Sequence, residues 1–253
     1  MGLHIYSGSL VRYFTNDWEN EIQRMARENG IEYRAHFADG EPKWPTREAA
    51  AEHVAWMRST LLSSPHVSAG SIVWNDDIDL YHTIKLHQDA RDAIAVVAAH
   101  LHRPDLPMST RMPLSADDDE AYAEAGPKGY LLDAIAAFDA SLVVPGTFSR
   151  VSITEDPLGD KRITCSTDRL RTTLNDLKKR FWNGQVQPSA WLDRGLVFAR
   201  DNRSSKQVGG EWVEERDEEP QDSLRGNAEF AFGVYTSMLE FSDRHKTAIV
   251  TTW

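Results

Sequence analysis

The chain has 253 residues, of which 41% are hydrophobic and 26% charged, an ordinary globular composition with enough apolar material for a sizeable core. Its formal net charge of −11 argues against a general nucleic-acid binder, because contact with phosphate backbones needs a basic surface. A single cysteine, Cys165, excludes an intrachain disulfide and a CxxC metal or redox motif.

The sequence also lacks the usual signals for export and membrane insertion. Its opening residues have neither the basic nor the long apolar region of a signal peptide. No apolar run reaches the roughly 18 residues that a membrane-spanning helix needs. We therefore expect a cytoplasmic protein that binds neither membranes nor nucleic acid.

The N-terminal segment predicts a strand followed by a helix. Residues 3–6 alternate in the manner of a strand, and the strand is expected to continue over Leu10 to Phe14 after a turn or bulge at residues 7–9. Asn16 followed by Glu19 is typical of a capping box that opens a helix. The apolar stripe of that helix would be Trp18, Ile22 and Met25, with Gly30 at its end and a second strand over Ile31 to Phe37.

Two longer helices are predicted next, separated by an acidic segment. Thr46 can cap the first helix, whose apolar stripe is Ala50, Val54, Met57 and Leu61. The second helix is predicted over Asp89 to His102. Between them, residues 71–74 look extended and residues 75–79 carry three aspartates.

The middle of the chain predicts a long loop and then alternating short elements. Residues 106–129 form the loop, with the acidic run Asp117 to Glu120 inside it. A short helix over residues 130–138 and strands over residues 142–145, 148–154 and 161–165 follow. Ser166 or Thr167 then caps an amphipathic helix with the stripe Leu170, Leu174, Leu177 and Phe181.

The C-terminal part combines an irregular stretch with the most apolar helix of the chain. One hairpin, residues 197–200 with 211–213, is predicted within residues 185–221. In the final helix, one face carries Phe230, Val234, Met238 and Phe241, and much of the other side carries Phe232, Tyr235 and Leu239. A helix that is apolar almost all round is buried in a core, and the β-branched residues 247–252 predict a terminal strand.

These elements predict a single α+β domain spanning residues 1–253. Its sheet should be mixed and mainly antiparallel, flanked by several helices, with a buried C-terminal helix and a terminal strand. Because the first and last segments both have strand character, we expect the two termini to pair in one sheet.

Two stretches resemble a family of uncharacterised bacterial proteins. The opening Met1-Gly2-Leu3-x-Ile5-Tyr6-x-Gly8-x-Leu10-x-Arg12-Tyr13, followed by Trp18, is similar to that family's MGLDIYxGxLTRYY and subsequent Trp. Tyr81-x-Thr83-x-Lys85 before an alanine-rich helix resembles a second block, and the closing Phe230-Ala231-Phe232 helix is similar as well. His4 and Trp253 stand where the family pattern has Asp and Tyr. The resemblance implies a fold and no particular activity.

Motifs of common chemistries are absent from the sequence. There is no GxGxxG, GxxxxGK[ST], HExxH or GxSxG. Asp76, Asp77 and Asp79 have the spacing of cation ligands, but a calcium loop that starts at Asp77 would need glycine where His82 stands. A solvated acidic turn and a buried, inert Cys165 thiol are therefore expected, and we predict no catalytic residue, metal ligand or cofactor.

One group of aromatic and charged residues is marked as a binding candidate. Aromatic residues with arginine are typical of recognition hot spots, although the same residue types also pack cores. The candidates are Tyr6, Arg12, Tyr13, Trp18, Trp74, Asp77 and Tyr81.

Two functions from different classes fit these observations. The first is an interaction protein of the bacterial immunity type, which would bind and neutralise a basic toxin partner through its negative field. The alternative is a hydrolase or small-molecule-binding protein with a site near the N-terminal strand and residues 74–81. A pocket of converging polar groups with shifted pKa values would favour the alternative, and a flat acidic face would favour the partner binder.

Overall fold

A computed structural model describes residues 2–32, 43–68, 70–113, 115–125, 133–148, 152–157, 159, 161–184, 203–208, 211–216 and 223–252. Its helices are α1 Leu10–Phe14, α2 Glu21–Glu28, α3 Arg47–Leu62, α4 Gln88–His102, α5 Glu120–Ala125, α6 Asp133–Asp139, α7 Thr167–Arg180 and α8 Leu224–His245. Its strands are β1 Gly2–Gly8, β2 His82–His87, β3 Leu142–Val144, β4 Ser152–Glu155, β5 Lys161–Ser166, β6 Arg203–Val208, β7 Glu211–Arg216 and β8 Ala248–Thr252.

The described strands form a six-stranded sheet with the order β2-β1-β8-β3-β5-β4 and a separate β6-β7 hairpin. Within the large sheet only β3 and β5 run parallel, and the other neighbours are antiparallel. The two chain ends pair directly, with His4 opposite Thr252 and Gly8 opposite Ala248. The predicted α+β class, the mainly antiparallel mixed sheet and the pairing of the termini are confirmed.

The sheet is covered on both faces, because alternate residues of its central strands point into two different cores. Ile249 of β8 joins the core formed with α4, α6, α7 and α8, together with Leu3 and Ile5 of β1. Ala248 and Val250 point the other way, into the core formed with α1 and α3. A strand buried on both sides needs a continuous apolar run, which explains the composition of residues 248–250.

Helix α8 is the centre of the first core, as the sequence predicts. Phe230, Val234 and Met238 are buried on one face, and Phe232, Tyr235 and Leu239 are buried on others. Its main partner is α4, where the small side chains of Ala93, Ala95, Ala98 and Ala99 allow close approach of the two helices. Within the described ranges, no helix combines the length and the apolar character that crossing a membrane requires.

Three predictions for the N-terminal segment are wrong. Leu10 to Phe14 form a helix rather than a continued strand, because Ser9 caps the turn by accepting a hydrogen bond from the Arg12 N–H. The next helix begins after Asn20, which forms a capping box with Gln23, so Trp18 precedes it. Its predicted stripe is not buried either, since Ile22 and Met25 are 41% and 56% exposed.

Further differences concern short elements. β2 lies in a segment that the apolar pattern alone did not mark as a strand. The predicted loop at residues 106–129 contains a 3₁₀ turn, Ala116–Asp118, and α5. The hairpin pairs residues 203–208 with residues 211–216, so its first strand is not the predicted 197–200. Residues 33–37 of the predicted second strand and residues 197–200 of the predicted hairpin lie outside the described ranges.

Truncation of Phe230 tests the burial of α8. We expect Phe230→Ala to lower the free energy of unfolding by about 3–5 kcal/mol, because it removes a buried aromatic ring. Glu240→Ala on the exposed side of the same helix is the control and should change it by less than about 0.5 kcal/mol. Urea denaturation measures both, and a loss below about 1 kcal/mol for Phe230→Ala would contradict the central role of this helix.

The thiol of Cys165 provides a second test of the same core. It is fully buried in β5, and burial raises its pKa to about 12, so the reactive thiolate is scarce at neutral pH. We expect no reaction with a thiol-specific chromogenic reagent in the native protein and complete reaction in denaturant. Rapid labelling under native conditions would show that β5 is accessible from solvent.

Candidate functional site

Five of the seven predicted binding residues form one aromatic cluster beside α1. The ring of Tyr6 lies 5.3 Å from that of Tyr13, 5.1 Å from that of Trp18 and 5.9 Å from that of Tyr81, centroid to centroid. Arg12 places its guanidinium 4.9 Å from the centroid of the Tyr81 ring, a cation–π distance. The sequence therefore identified residues that lie together, including Tyr81, which is far along the chain from the other four.

Most of this aromatic cluster belongs to the second core rather than to an open surface. Tyr6 and Tyr13 are buried, and Trp18 and Tyr81 are half-buried. The hydroxyl of Tyr6 donates to the Ser9 carbonyl at 2.9 Å, and burial raises its pKa above the usual value. Arg12 donates to the backbone carbonyls of Asp17 and Asp79. The cluster thus joins α1 to the segment that precedes β2.

That segment, residues 71–81, is named the strap. It has no regular structure apart from a bridge of Ile72 to Gly146, and hydrogen bonds to distant parts of the chain fix its course. These bonds are Val73 N to Pro145 O at 3.0 Å, Asn75 N to Lys246 O at 2.6 Å, Thr147 N to Ser71 O at 3.0 Å and Glu19 N to Tyr81 Oη at 3.1 Å. Bonds from several elements at once hold an irregular segment in one conformation.

Asp76 makes the central contacts of the strap. Its carboxylate accepts from the Leu10 N–H at 2.9 Å, from the Trp74 indole N–H at 2.5 Å and from Arg58 of α3 at 3.1 Å. The Arg58 guanidinium also lies 4.8 Å from the Trp74 ring centroid and donates to the Trp74 carbonyl. Burial raises the pKa of Asp76, an effect that these three hydrogen bonds oppose. One carboxylate therefore links α1, α3 and the strap.

A groove of about 290 Å³ opens between α3, α1 and the strap. Its lining comprises Val11, Arg47, Ala51, Val54, Ala55, Arg58, Trp74, Asn75, Asp76 and Asp77. The α3 residues among them recur at spacings of three and four, so a single helix face forms one wall. Trp74 and Asp77, the remaining two predicted binding residues, lie on the opposite wall, which the strap provides.

Four charged side chains line the groove, and only two of them form an ion pair with each other. Asp76 and Arg58 are paired with each other. Arg47 and Asp77 are exposed, and neither side chain has an ion pair within the part of the chain that the structure describes. The backbone N–H of Asp77 donates to the Asn75 side chain at 2.9 Å, which fixes the local turn and leaves the Asp77 carboxylate open to solvent.

Arg47, Arg58 and Asp76 were missed by sequence reasoning. Arg47 and Arg58 are eleven residues apart, about three helical turns, so a helix from Thr46 onwards does place them on one face. That spacing was the available signal for a charged stripe. For Asp76 the sequence holds no comparable signal, because its burial depends on the meeting of α1, α3 and the strap.

The acidic loop near residue 118 is less available to a partner than its composition suggests. Asp118 accepts from the Ser115 N–H at 2.9 Å in a capping box. Asp119 is buried, where it meets His100 Nε2 at 3.0 Å and accepts from the Tyr122 N–H at 3.1 Å. Asp117, Asp118 and Glu120 are exposed, so Asp119 is the buried member of this run.

Comparisons with known proteins add no family to this description. No protein-family model matches the chain, and neither the curated proteins nor the solved structures produced a match. The resemblance to the bacterial family stays a prediction. Among the described residues, no group of three or more histidine, cysteine or acidic side chains is placed to hold a metal ion, which includes the aspartates of the strap.

Substitution of the two neighbouring aspartates should separate their roles. Asp76→Asn is expected to lower the free energy of unfolding by roughly 1–3 kcal/mol, since it removes a charge and sets an NH₂ group against N–H donors. Asp77→Asn should change it by less than about 0.5 kcal/mol, because Asp77 is exposed. Urea denaturation at neutral pH gives both values, and equal effects would refute the assignment.

Proposed function

We propose that this protein binds a small organic molecule in the groove between α3 and the strap. The observation that carries the proposal is the convergence of an apolar helix face with charged groups of both signs in a single cavity of about 290 Å³. Concave, partly apolar sites with a few well-placed polar groups are the usual form of ligand sites. This cavity is close to the lower end of the usual range of about 300–1,000 Å³, which favours a small ligand.

The chemistry of the lining favours binding over nucleophilic hydrolysis. None of the residues that the structure places around the groove is a serine, cysteine or histidine. A nucleophile with an adjacent base is what covalent hydrolytic catalysis needs. Asp76, the lining carboxylate whose pKa is raised, is committed to three hydrogen bonds, so it supports the wall rather than offering a base.

Rigidity of the strap supports the same proposal. Hydrogen bonds that the strap donates to the Pro145 and Lys246 carbonyls and accepts from the Leu10 N–H fix the wall that carries Trp74 and Asp77. A wall that is ordered before the ligand arrives loses less conformational entropy on binding, and affinity rises accordingly.

An interaction protein of the immunity type is the second candidate. It is supported by the net charge of −11, which would attract a basic partner over about one Debye length, roughly 8 Å at physiological salt. Its weakness is that two of the four acids in the run Asp117 to Glu120 are used for internal contacts.

A matched pair of substitutions tests the groove. Ala55→Trp should fill it, because Ala55 is an exposed α3 residue in its lining. Ala49→Trp is the control, since Ala49 is an exposed residue of the same helix outside the lining. A library of small molecules is screened by thermal shift on the native protein, and hits are titrated calorimetrically against both variants.

The expected result is a ligand that binds the native protein and Ala49→Trp with similar affinity and binds Ala55→Trp at least about tenfold more weakly, equivalent to about 1.4 kcal/mol. Equal binding to all three proteins would place the ligand elsewhere and overturn the proposal. Absence of hits, together with capture of a basic protein whose association slows as salt rises, would instead establish the interaction protein.

A further inference from the structure

The charges around the groove define what kind of molecule complements it, given that the groove is a ligand site as proposed above. Arg58 and Asp76 neutralise each other at 3.1 Å, so they contribute little net charge. Arg47 and Asp77 remain, one of each sign, and neither has an ion-pair partner within the described ranges. The lining is therefore neutral overall but has two separate charged points.

These two points come from different walls of the groove, Arg47 from α3 and Asp77 from the strap. Arg47 is in the first turn of α3, and Arg58 is eleven residues further on, a rise of about 16 Å at 1.5 Å per residue. Asp77 directly follows Asp76, which is held at Arg58. The backbone of Asp77 is consequently near the Asp76–Arg58 pair, whereas the backbone of Arg47 is at the start of α3.

The surface between them is apolar and has small side chains. Ala51, Val54 and Ala55 of α3 and Val11 of α1 supply only alkyl groups to the lining. Contact between this alkyl surface and the alkyl group of a ligand removes both from water, which is favourable. The volume of about 290 Å³ corresponds to about ten water molecules at their liquid volume, so an elongated molecule of modest size fits.

The position of Arg47 sets the direction of a bound molecule. The first turn of a helix carries partial positive charge from its backbone N–H groups, which favours a bound anion. An anionic group at Arg47 would be attracted both by the guanidinium and by the partial positive charge at the start of α3. A cationic group would be repelled there and stabilised at Asp77.

We infer that the groove takes an elongated zwitterion, with a carboxylate at Arg47, an ammonium group at Asp77 and an alkyl body on α3. A simple anion or cation uses only one of the two charged points and leaves the other without a partner. An α-amino acid carries both charged groups on one carbon and therefore separates them less than a longer zwitterion does.

The probes are a series of zwitterions of increasing length: glycine, γ-aminobutyrate and ε-aminocaproate. Caproate and hexylammonium are the singly charged analogues of the longest member. Calorimetric titration at low ionic strength should show that ε-aminocaproate binds more tightly than glycine. It should also bind about two- to fivefold more tightly than either singly charged analogue, the usual contribution of a partly exposed ion pair.

Variants identify the two charged points. Arg47→Gln and Asp77→Asn should each weaken ε-aminocaproate binding about two- to fivefold. Combining Arg47→Asp with Asp77→Arg should restore part of it, because the zwitterion can bind in the reverse direction while the start of α3 still disfavours its ammonium group. Arg244→Gln and Glu240→Gln, exposed positions on α8 outside the groove, are the charge controls and should leave the affinity unchanged.

Several outcomes would overturn the inference. If caproate or hexylammonium binds as tightly as the zwitterion, or if the charge exchange fails to restore binding, the ligand is not a zwitterion. The groove itself still stands as a ligand site if Ala55→Trp abolishes binding of a library hit. Failure of the zwitterion series together with failure of every library hit would reject both the ligand class and the site.

Discussion

Antiparallel pairing of β1 with β8 places the two ends of the chain in the middle of the sheet and gives both cores their central wall. The turn between α8 and β8 makes this pairing geometrically available. Lys246 adopts a left-handed conformation there, and the Ser242 hydroxyl donates to the Thr247 carbonyl at 2.5 Å. The same turn supplies the Lys246 carbonyl that accepts from Asn75, so the strap is attached to the most buried part of the fold.

The groove follows from this attachment. The strap is anchored at the turn before β8. Next to α3 its position is fixed by Asp76, which accepts hydrogen bonds from α1, from α3 and from Trp74. A carboxylate with three donors can remain partly buried, where an unpaired one would be destabilised. Because the contact with α3 is made through the Arg58 side chain, space remains above the small residues Ala51 and Ala55, and that space is the groove.

Asp76 and Asp77 show which features of such a site can be predicted from sequence and which cannot. Residue types that suit recognition pointed to Asp77 and Trp74, and both line the groove. The same reasoning treated Asp76 as one more member of a solvated acidic turn, whereas it links three elements. Adjacent residues of identical type differ in role because the backbone turns one towards donors and leaves the other in solvent, and no periodicity encodes that choice.

The sequence by itself determined the elements whose stability comes from their own pattern. Helices α3, α4, α7 and α8, the strand character of both chain ends and the α+β class follow from patterns of apolar, β-branched and capping residues, which act locally. Only the tertiary structure decided the exposure of the α2 stripe and the course of the strap. These depend on partners far away in the chain, and contacts of that kind override local propensity.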